Sequence, residues 1–178
     1  MRTLMAVIVA GILLAAGPAG AQSHGHGPGQ SPAGPSRAHL EVQRFWEQYD
    51  TMLAEGRGFG MAFVADLNGY PGPLHVLELA GALKLTPEQE TRVGALQDAM
   101  LAEARPQGGA LLEAEQRLGQ LFAGRHATEE TVRAQAGQVE RLRGEVRLVH
   151  LRYHLKTREL LTEVQRATYH AKRWGTGG

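Results

Sequence analysis

Apolar side chains recur along this chain at steps of three and four, the spacing that gathers them on one side of an α-helix. From Ala38 to Glu55 the set is Val42, Phe45, Trp46, Tyr49, Met52 and Leu53, which predicts an amphipathic helix interrupted by Gly56, Gly58 and Gly60. Met61 to Leu67 is a further short helical stretch. Asn68 to Pro73 (NGYPGP) then forces a turn, because proline fixes φ and glycine tolerates φ > 0. Leu74 to Leu83 is apolar almost all round and is expected to be buried.

Two longer helices follow. Leu85-Thr86-Pro87-Glu88-Gln89 carries a capping Thr86, a proline suited to the first helical position and Gln89 placed to close a capping box. Val93, Leu96, Met100 and Ala104 line one face of this helix. Pro106, Gly108 and Gly109 are expected to kink or break it before it resumes through Leu111, Leu118 and Phe122. Thr128 caps the next helix, with Glu129 and Glu130 at the positive end of its dipole. That helix runs from Glu129 to Leu160 on a stripe of Val132, Ala136, Val139, Leu142, Val146, Val149, Tyr153 and Leu160. Leu148, Leu151 and Leu155 lie nearly opposite, so the helix has two apolar faces and calls for two partners, one of them a second subunit. Leu161-Thr162-Glu163-Val164-Gln165 repeats the earlier start signal and opens a last helix to Trp174. Strand-like alternation is absent, and the class expected is all-α.

Length and composition narrow the picture. A chain of 178 residues suggests one domain. Without cysteine, disulfides, thiolate catalysis and Cys-ligated metals are excluded. Arg2, the apolar run Leu4 to Ala16, the breakers Gly17 and Pro18, and Ala19-Gly20-Ala21 read as a cleaved secretory signal over residues 1–21, and the mature chain would begin at Gln22. Export without anchor or disulfides fits the periplasm. Residues 22–37 are Gly, Pro, Ser and His and predict a disordered arm; 38–174 form the helical domain and 175–178 a flexible tail. Charge is divided: 38–124 hold six Lys/Arg against twelve Asp/Glu, a net of −6, while 125–178 hold eleven against six, a net of +5. Arg143, Arg147 and Arg158 fall on roughly one side of the long helix, a basic surface suited to attracting acidic partners or to ion pairs.

Candidate chemistry is sparse. His150 and His154 stand at i, i+4 on a helix, the spacing at which two imidazoles meet one metal ion. They equally suit hydrogen bonding within a dimer, beside Tyr153. His24 and His26 (SHGHG) on the arm suit weak capture of Cu²⁺, Ni²⁺ or Zn²⁺, or are plain linker. HExxH, a phosphate-binding GxxxxGK[ST] loop and a flanked catalytic serine are all missing, and the acidic pairs fall at helix starts where capping explains them. No enzyme, no required cofactor and no nucleic-acid partner are expected. Trp46 and Trp174 read as core or interface anchors.

The two L-T-x-x-Q elements, formed by Leu85, Thr86 and Gln89 and by Leu161, Thr162 and Gln165, each open a helix. With them the chain resembles the Spy/CpxP family of periplasmic proteins. Gly58, the run Asn68 to Leu79 (NGYPGPLHVLEL) and His150 to Leu155 (HLRYHL) look like its branch of Spy/CpxP-like chaperones and heavy-metal sensors. The resemblance covers roughly residues 57–174 and omits the arm and the Trp46 helix. It implies a four-helix hairpin with long central helices that pairs into a cradle-shaped homodimer. It implies ATP-independent holding of unfolded or misfolded periplasmic proteins on a basic, partly apolar face, or modulation of envelope stress with a membrane-embedded sensor as partner. On this chain Arg133, Arg143, Arg147 and Arg158 would serve that face, and the LTxxQ residues would be structural. The alternative implied is a sensor or resistance protein for Zn, Ni, Co or Cu, with Glu113, Glu115 or Met100 joining His150 and His154.

Overall fold

The computed structural model describes residues 36–175. The expected leader, residues 22–35 of the arm with His24 and His26, and residues 176–178 of the tail lie outside the described residues. Among those described there are seven helices and no strand: α1 (Arg37–Ala54), α2 (Phe63–Leu67), α3 (Pro73–Glu78), α4 (Ala80–Leu83), α5 (Pro87–Ala123), α6 (Glu129–Glu159) and α7 (Glu163–Trp174). The chain is all-α, as its periodicity predicts. None of these helices is long and apolar enough to cross a membrane.

The frame is an α5–α6 hairpin closed by residues 124–128. At about 1.5 Å per residue its arms are roughly 55 and 46 Å long. Far more apolar surface lies along such a hairpin than two helices cover between them. α1 and α3 pack against α5, and α4 packs against α7. The core runs along the hairpin in three clusters. Tyr49 and Leu53 of α1 meet Leu111, Ala114, Val139 and Val146. Met100 and Ala104 meet Val149 and Tyr153 in the middle. Val76, Leu83, Val93, Leu161 and Tyr169 close the end where α3, α4 and α7 converge. Each fully buried Val or Leu contributes about 1.5–3 kcal/mol.

Two sequence expectations are corrected. The first concerns Pro106, Gly108 and Gly109, which neither break nor end α5: the helix is continuous from Pro87 to Ala123. Pro106 sits on the exposed side, where the carbonyl it leaves unbonded can reach water, so the helix tolerates it. Gly108 has another task. It is buried, and a Cβ there would collide with the carbonyl oxygen of Leu53, so the missing side chain is what lets α1 cross α5 closely. The second correction concerns Leu74 to Leu83, which is two short helices, with Leu79 at φ −102° and ψ 11° between them. Only Val76 and Leu83 of that stretch are fully buried. The segment wraps the hairpin's end as a strap, and a strap has one inward face.

Candidate functional site

The two LTxxQ elements meet. Thr86 and Thr162 each accept from the backbone N–H of Gln89 and Gln165, and each glutamine accepts in return from its own threonine N–H. The amides then pair across the chain: Gln89 Nε2 donates to Gln165 Oε1 and Gln165 Nε2 to Gln89 Oε1, both at 2.9 Å. Gln89 Nε2 also reaches the Leu160 carbonyl at 2.8 Å, and Gln165 Nε2 the Leu83 carbonyl at 3.3 Å. Leu161 is buried beneath this junction, with Leu85 packed against the same cluster. The motif thus fastens the start of α5 to the start of α7 using donors that helix termini leave free.

His150 and His154 lie one turn apart on α6, both buried. Each is walled by a glycine of the segment ahead of the hairpin: a Cβ on Gly58 would stand 2.8 Å from His150 Cδ2, and one on Gly72 would stand 2.8 Å from His154 Nε2. His154 Nδ1 donates to the Tyr70 carbonyl at 2.6 Å, which fixes the tautomer of the neutral ring. Burial pushes the His150 pKa down from 6.5 to about 4, with the neighbouring His154 adding to the effect. Burial likewise lowers that of His154. His150 Nε2 is buried and has no hydrogen-bond partner.

Both imidazoles border a cavity of about 390 Å³ whose walls come from six helices and the glycine-rich loop after α1. Met52, Met61 and Met100 are among its apolar walls, and Gln97, Arg173 and Trp174 are on its lining too. No three His, Asp or Glu side chains among the described residues stand close enough together to hold a metal ion. The lining carries the unpartnered His150 Nε2 and the thioethers of Met52, Met61 and Met100, donor types that a transition metal accepts. Glu113 and Glu115 are not on the cavity lining, and Glu115 pairs with Arg143.

On the same lining is a chain of polar contacts absent from the sequence reading. Asp66, 5 % exposed, accepts from the Tyr169 hydroxyl and from Arg173 Nε at 3.2 Å. Arg173 Nη2 donates to His75 Nε2 at 2.9 Å, so His75 Nδ1 carries the proton given to Glu78 at 2.8 Å. Burial, then the Asp66 hydrogen bond, raises the Tyr169 pKa well above the usual phenol value. Pairing makes the buried carboxylate tolerable, and breaking it is expensive.

The structure disperses the four arginines. Arg143 is half-buried, ion-paired to Glu115 and set 5.8 Å over the Tyr49 ring. Arg158 lies 4.8 Å over the Tyr70 ring, half-buried. Arg133 is exposed and pairs with Glu129 at 2.6 Å. Arg147 is exposed and has no ion pair among the described residues. The outer face of α6 carries Leu148, 56 % exposed, and Leu155, 52 % exposed, with Arg141, Arg147, Arg152 and Lys156 exposed around them. Trp46 is about half exposed against Phe45 and Tyr49, and Trp174 packs edge-on to Phe63.

No curated protein and no solved structure matches the chain. The family model described as LTXXQ motif family protein matches residues 74–173, more than half of its length and the whole of the glutamine-locked hairpin. The chain belongs to the LTXXQ motif family.

Proposed function

We propose that the protein is a periplasmic, ATP-independent chaperone or envelope-stress modulator that holds unfolded chains on the outer face of α6. One observation carries the reading. Leu148 and Leu155 stand more than half exposed, seven residues apart on one face, with Arg141, Arg147 and Lys156 exposed on the same helix, Glu145 and Glu159 exposed beside them, and Arg152 paired with Glu103. Apolar surface of this kind on a helix that is otherwise well packed marks an interaction site. The positive rim speeds encounter with acidic or partly unfolded chains, and the leucines set how long they stay. Arg147 is the member of the sequence-derived arginine set best suited to that task, because Arg133, Arg143 and Arg158 are already engaged. Family membership supports the periplasmic setting, and the leader-like residues 1–21 support export. A homodimer and a membrane-embedded sensor as partner belong to the same proposal.

The test is light scattering from a denatured client diluted into equimolar protein. Aggregation should fall with the unaltered chain and return with Leu148→Asn/Leu155→Asn. Scattering that the unaltered chain leaves unchanged would end the proposal. Sedimentation of the same variant tells client binding from self-association: a variant that loses its dimer and its activity together assigns the face to a second copy.

A second reading, a sensor or buffer for Zn, Ni, Co or Cu, draws on one observation, the unpartnered His150 Nε2 beside Met100. It requires His150→Ala to weaken metal binding in a calorimetric titration. Binding that instead depends on residues 22–37 would belong to His24 and His26.

A further inference from the structure

A guanidinium partly withdrawn from water is costly to leave without a counter-charge. Among the described residues three arginines are half-buried: Arg143, Arg158 and Arg166. Arg143 has Glu115. Arg158 and Arg166 have no carboxylate within ion-pair distance, and they meet at one place. Arg166 Nη1 donates to the Leu161 carbonyl at 3.1 Å and to that of Arg158 at 3.5 Å, which seats its guanidinium at the end of α6. Arg158 lies over the Tyr70 ring. Both arginines line a shallow hollow of about 430 Å³ formed by α6, α7 and the turn after α2.

The donors at this hollow are accessible. Arg158 Nε is buried, but its Nη atoms are not, and they meet no acceptor among the described residues. Nε and Nη2 of Arg166 are likewise accessible and unpaired. His170, one turn beyond Arg166 on α7, adds an imidazole N–H that no described residue accepts. Glu163 is the one carboxylate on the lining. It stands at the start of α7, where the helix dipole favours it, and pairs with neither arginine. Glu159 is exposed at the end of α6 and is not on the lining. Two guanidiniums against one carboxylate leave the hollow positive. Gly69, Ala167, Ala171 and Gly175 complete the wall, and their small size keeps it open.

We infer that this hollow binds a terminal phosphate group, held by Arg158, Arg166 and His170. Such a group carries three acceptor oxygens and close to two negative charges, which matches two guanidinium forks and an imidazole; a carboxylate occupies one fork. Two sources present that chemistry, a phospholipid headgroup and a free phosphate monoester. The surface beside the hollow favours the headgroup. Asn68 and Gly69 of the lining follow directly on α2, where Phe63, Val64 and Leu67 are 53 %, 51 % and 41 % exposed. Phe63 packs edge-on to Trp174, the neighbour of Gly175 on the lining. Exposed apolar and aromatic side chains next to a cationic hollow suit a protein to the headgroup level of a membrane. The hollow lies apart from the outer face of α6 that bears Leu148 and Leu155, and its assignment does not rest on the chaperone reading.

The experiment titrates inorganic phosphate, and separately acetate, into the ¹⁵N-labelled full chain at constant ionic strength and follows the amides of Asn68, Gly69, Ala167 and His170. Phosphate is expected to saturate with a Kd of about 1 mM or tighter, about tenfold tighter than acetate. Ala167→Glu brings a carboxylate into the hollow from an exposed helical position, so it should fold, and it is expected to weaken phosphate about tenfold. Arg158→Lys keeps the charge, loses the planar fork and should weaken phosphate as well, with far-UV circular dichroism confirming its helices. Flotation with vesicles of phosphatidylcholine, alone or mixed with phosphatidic acid, separates the sources. Capture by phosphatidic acid that is lost in Ala167→Glu and in Phe63→Ser/Leu67→Ser, while the latter still binds inorganic phosphate, assigns the hollow to a lipid headgroup. Phosphate binding without vesicle capture assigns it to free monoesters. The inference is overturned if phosphate does not saturate, if acetate matches it, or if Ala167→Glu binds phosphate as tightly as the unaltered chain. Failure of the aggregation assay with phosphate still bound would remove the client reading and leave the hollow's assignment standing.

Discussion

His150 should make this protein sensitive to mild acid. Its ring is neutral in the folded chain because burial holds its pKa at about 4, against 6.5 for the free side chain. The unfolded chain therefore binds a proton first as pH falls, and stability contributed by the neutral ring is complete above 6.5 and drains away down to 4. At about 1.36 kcal/mol for each unit of difference, the whole interval amounts to roughly 3 kcal/mol. Between pH 7 and pH 5 the share is about 2 kcal/mol. His154, also lowered by burial, acts in the same direction. Urea unfolding followed by circular dichroism at both pH values, on the unaltered chain and on His150→Leu, isolates the effect, since the carboxylates are common to both. The unaltered chain should lose about 2 kcal/mol more than the variant. Equal losses would mean that His150 is hydrated or protonated in the native state, and the account of α6 packed against Gly58 would fail.

Three further outcomes follow from the geometry. Gln89→Ala and Gln165→Ala should each lower stability by about 1–3 kcal/mol, and the double variant by clearly less than their sum, because each amide is the other's partner; a double-mutant cycle in urea measures the coupling. Gly108→Ala should destabilise by about 1–3 kcal/mol despite the better helix propensity of alanine, because its Cβ meets the Leu53 carbonyl; a thermal melt showing stabilisation would refute the close crossing. Asp66→Asn should lower stability by a few kcal/mol, about 3 as an upper figure, and bring the Tyr169 pKa down towards that of free tyrosine, read from phenolate absorbance in an alkaline titration.

Much of the fold is legible in the sequence because helix signals are local. Thr86, Thr128 and Thr162 cap the helices they were expected to cap, and the stripe from Val139 to Tyr153 is the buried face of α6. Where the reading failed, a residue's meaning was set by something distant. Pro106 and Gly108 look like a helix break until Leu53 is seen crossing there. Leu74 to Leu83 has no polar face to show where it turns, and the hairpin's end decides that. The site was harder still. The i, i+4 spacing puts His150 and His154 on one side of α6, yet nothing local tells that Gly58 and Gly72 wall them or that the Tyr70 carbonyl accepts a hydrogen bond from His154. Asp66, Gln97 and Arg173 carry no spacing signal, being brought together from three helices. The four arginines illustrate the converse, since a shared helical side says nothing about Glu115 or the rings of Tyr49 and Tyr70 that engage two of them.

The boundary of the family match bears on what is particular to this chain. Matching begins at Leu74, so α1, the glycine-rich loop and α2 lie outside it. These residues are nonetheless built into the domain. Tyr49 and Leu53 complete one core cluster, Gly58 walls His150, and Asp66 ties Tyr169 to Arg173. The cavity depends on them, because Met52, Phe59, Met61 and Phe63 supply much of its apolar wall. The outer face of α6 keeps Leu148 and Leu155 more than half exposed with this added segment in place. The two features thus have separate origins in the sequence: an exposed apolar face on a helix within the family match, and a cavity walled in part by the segment that precedes it.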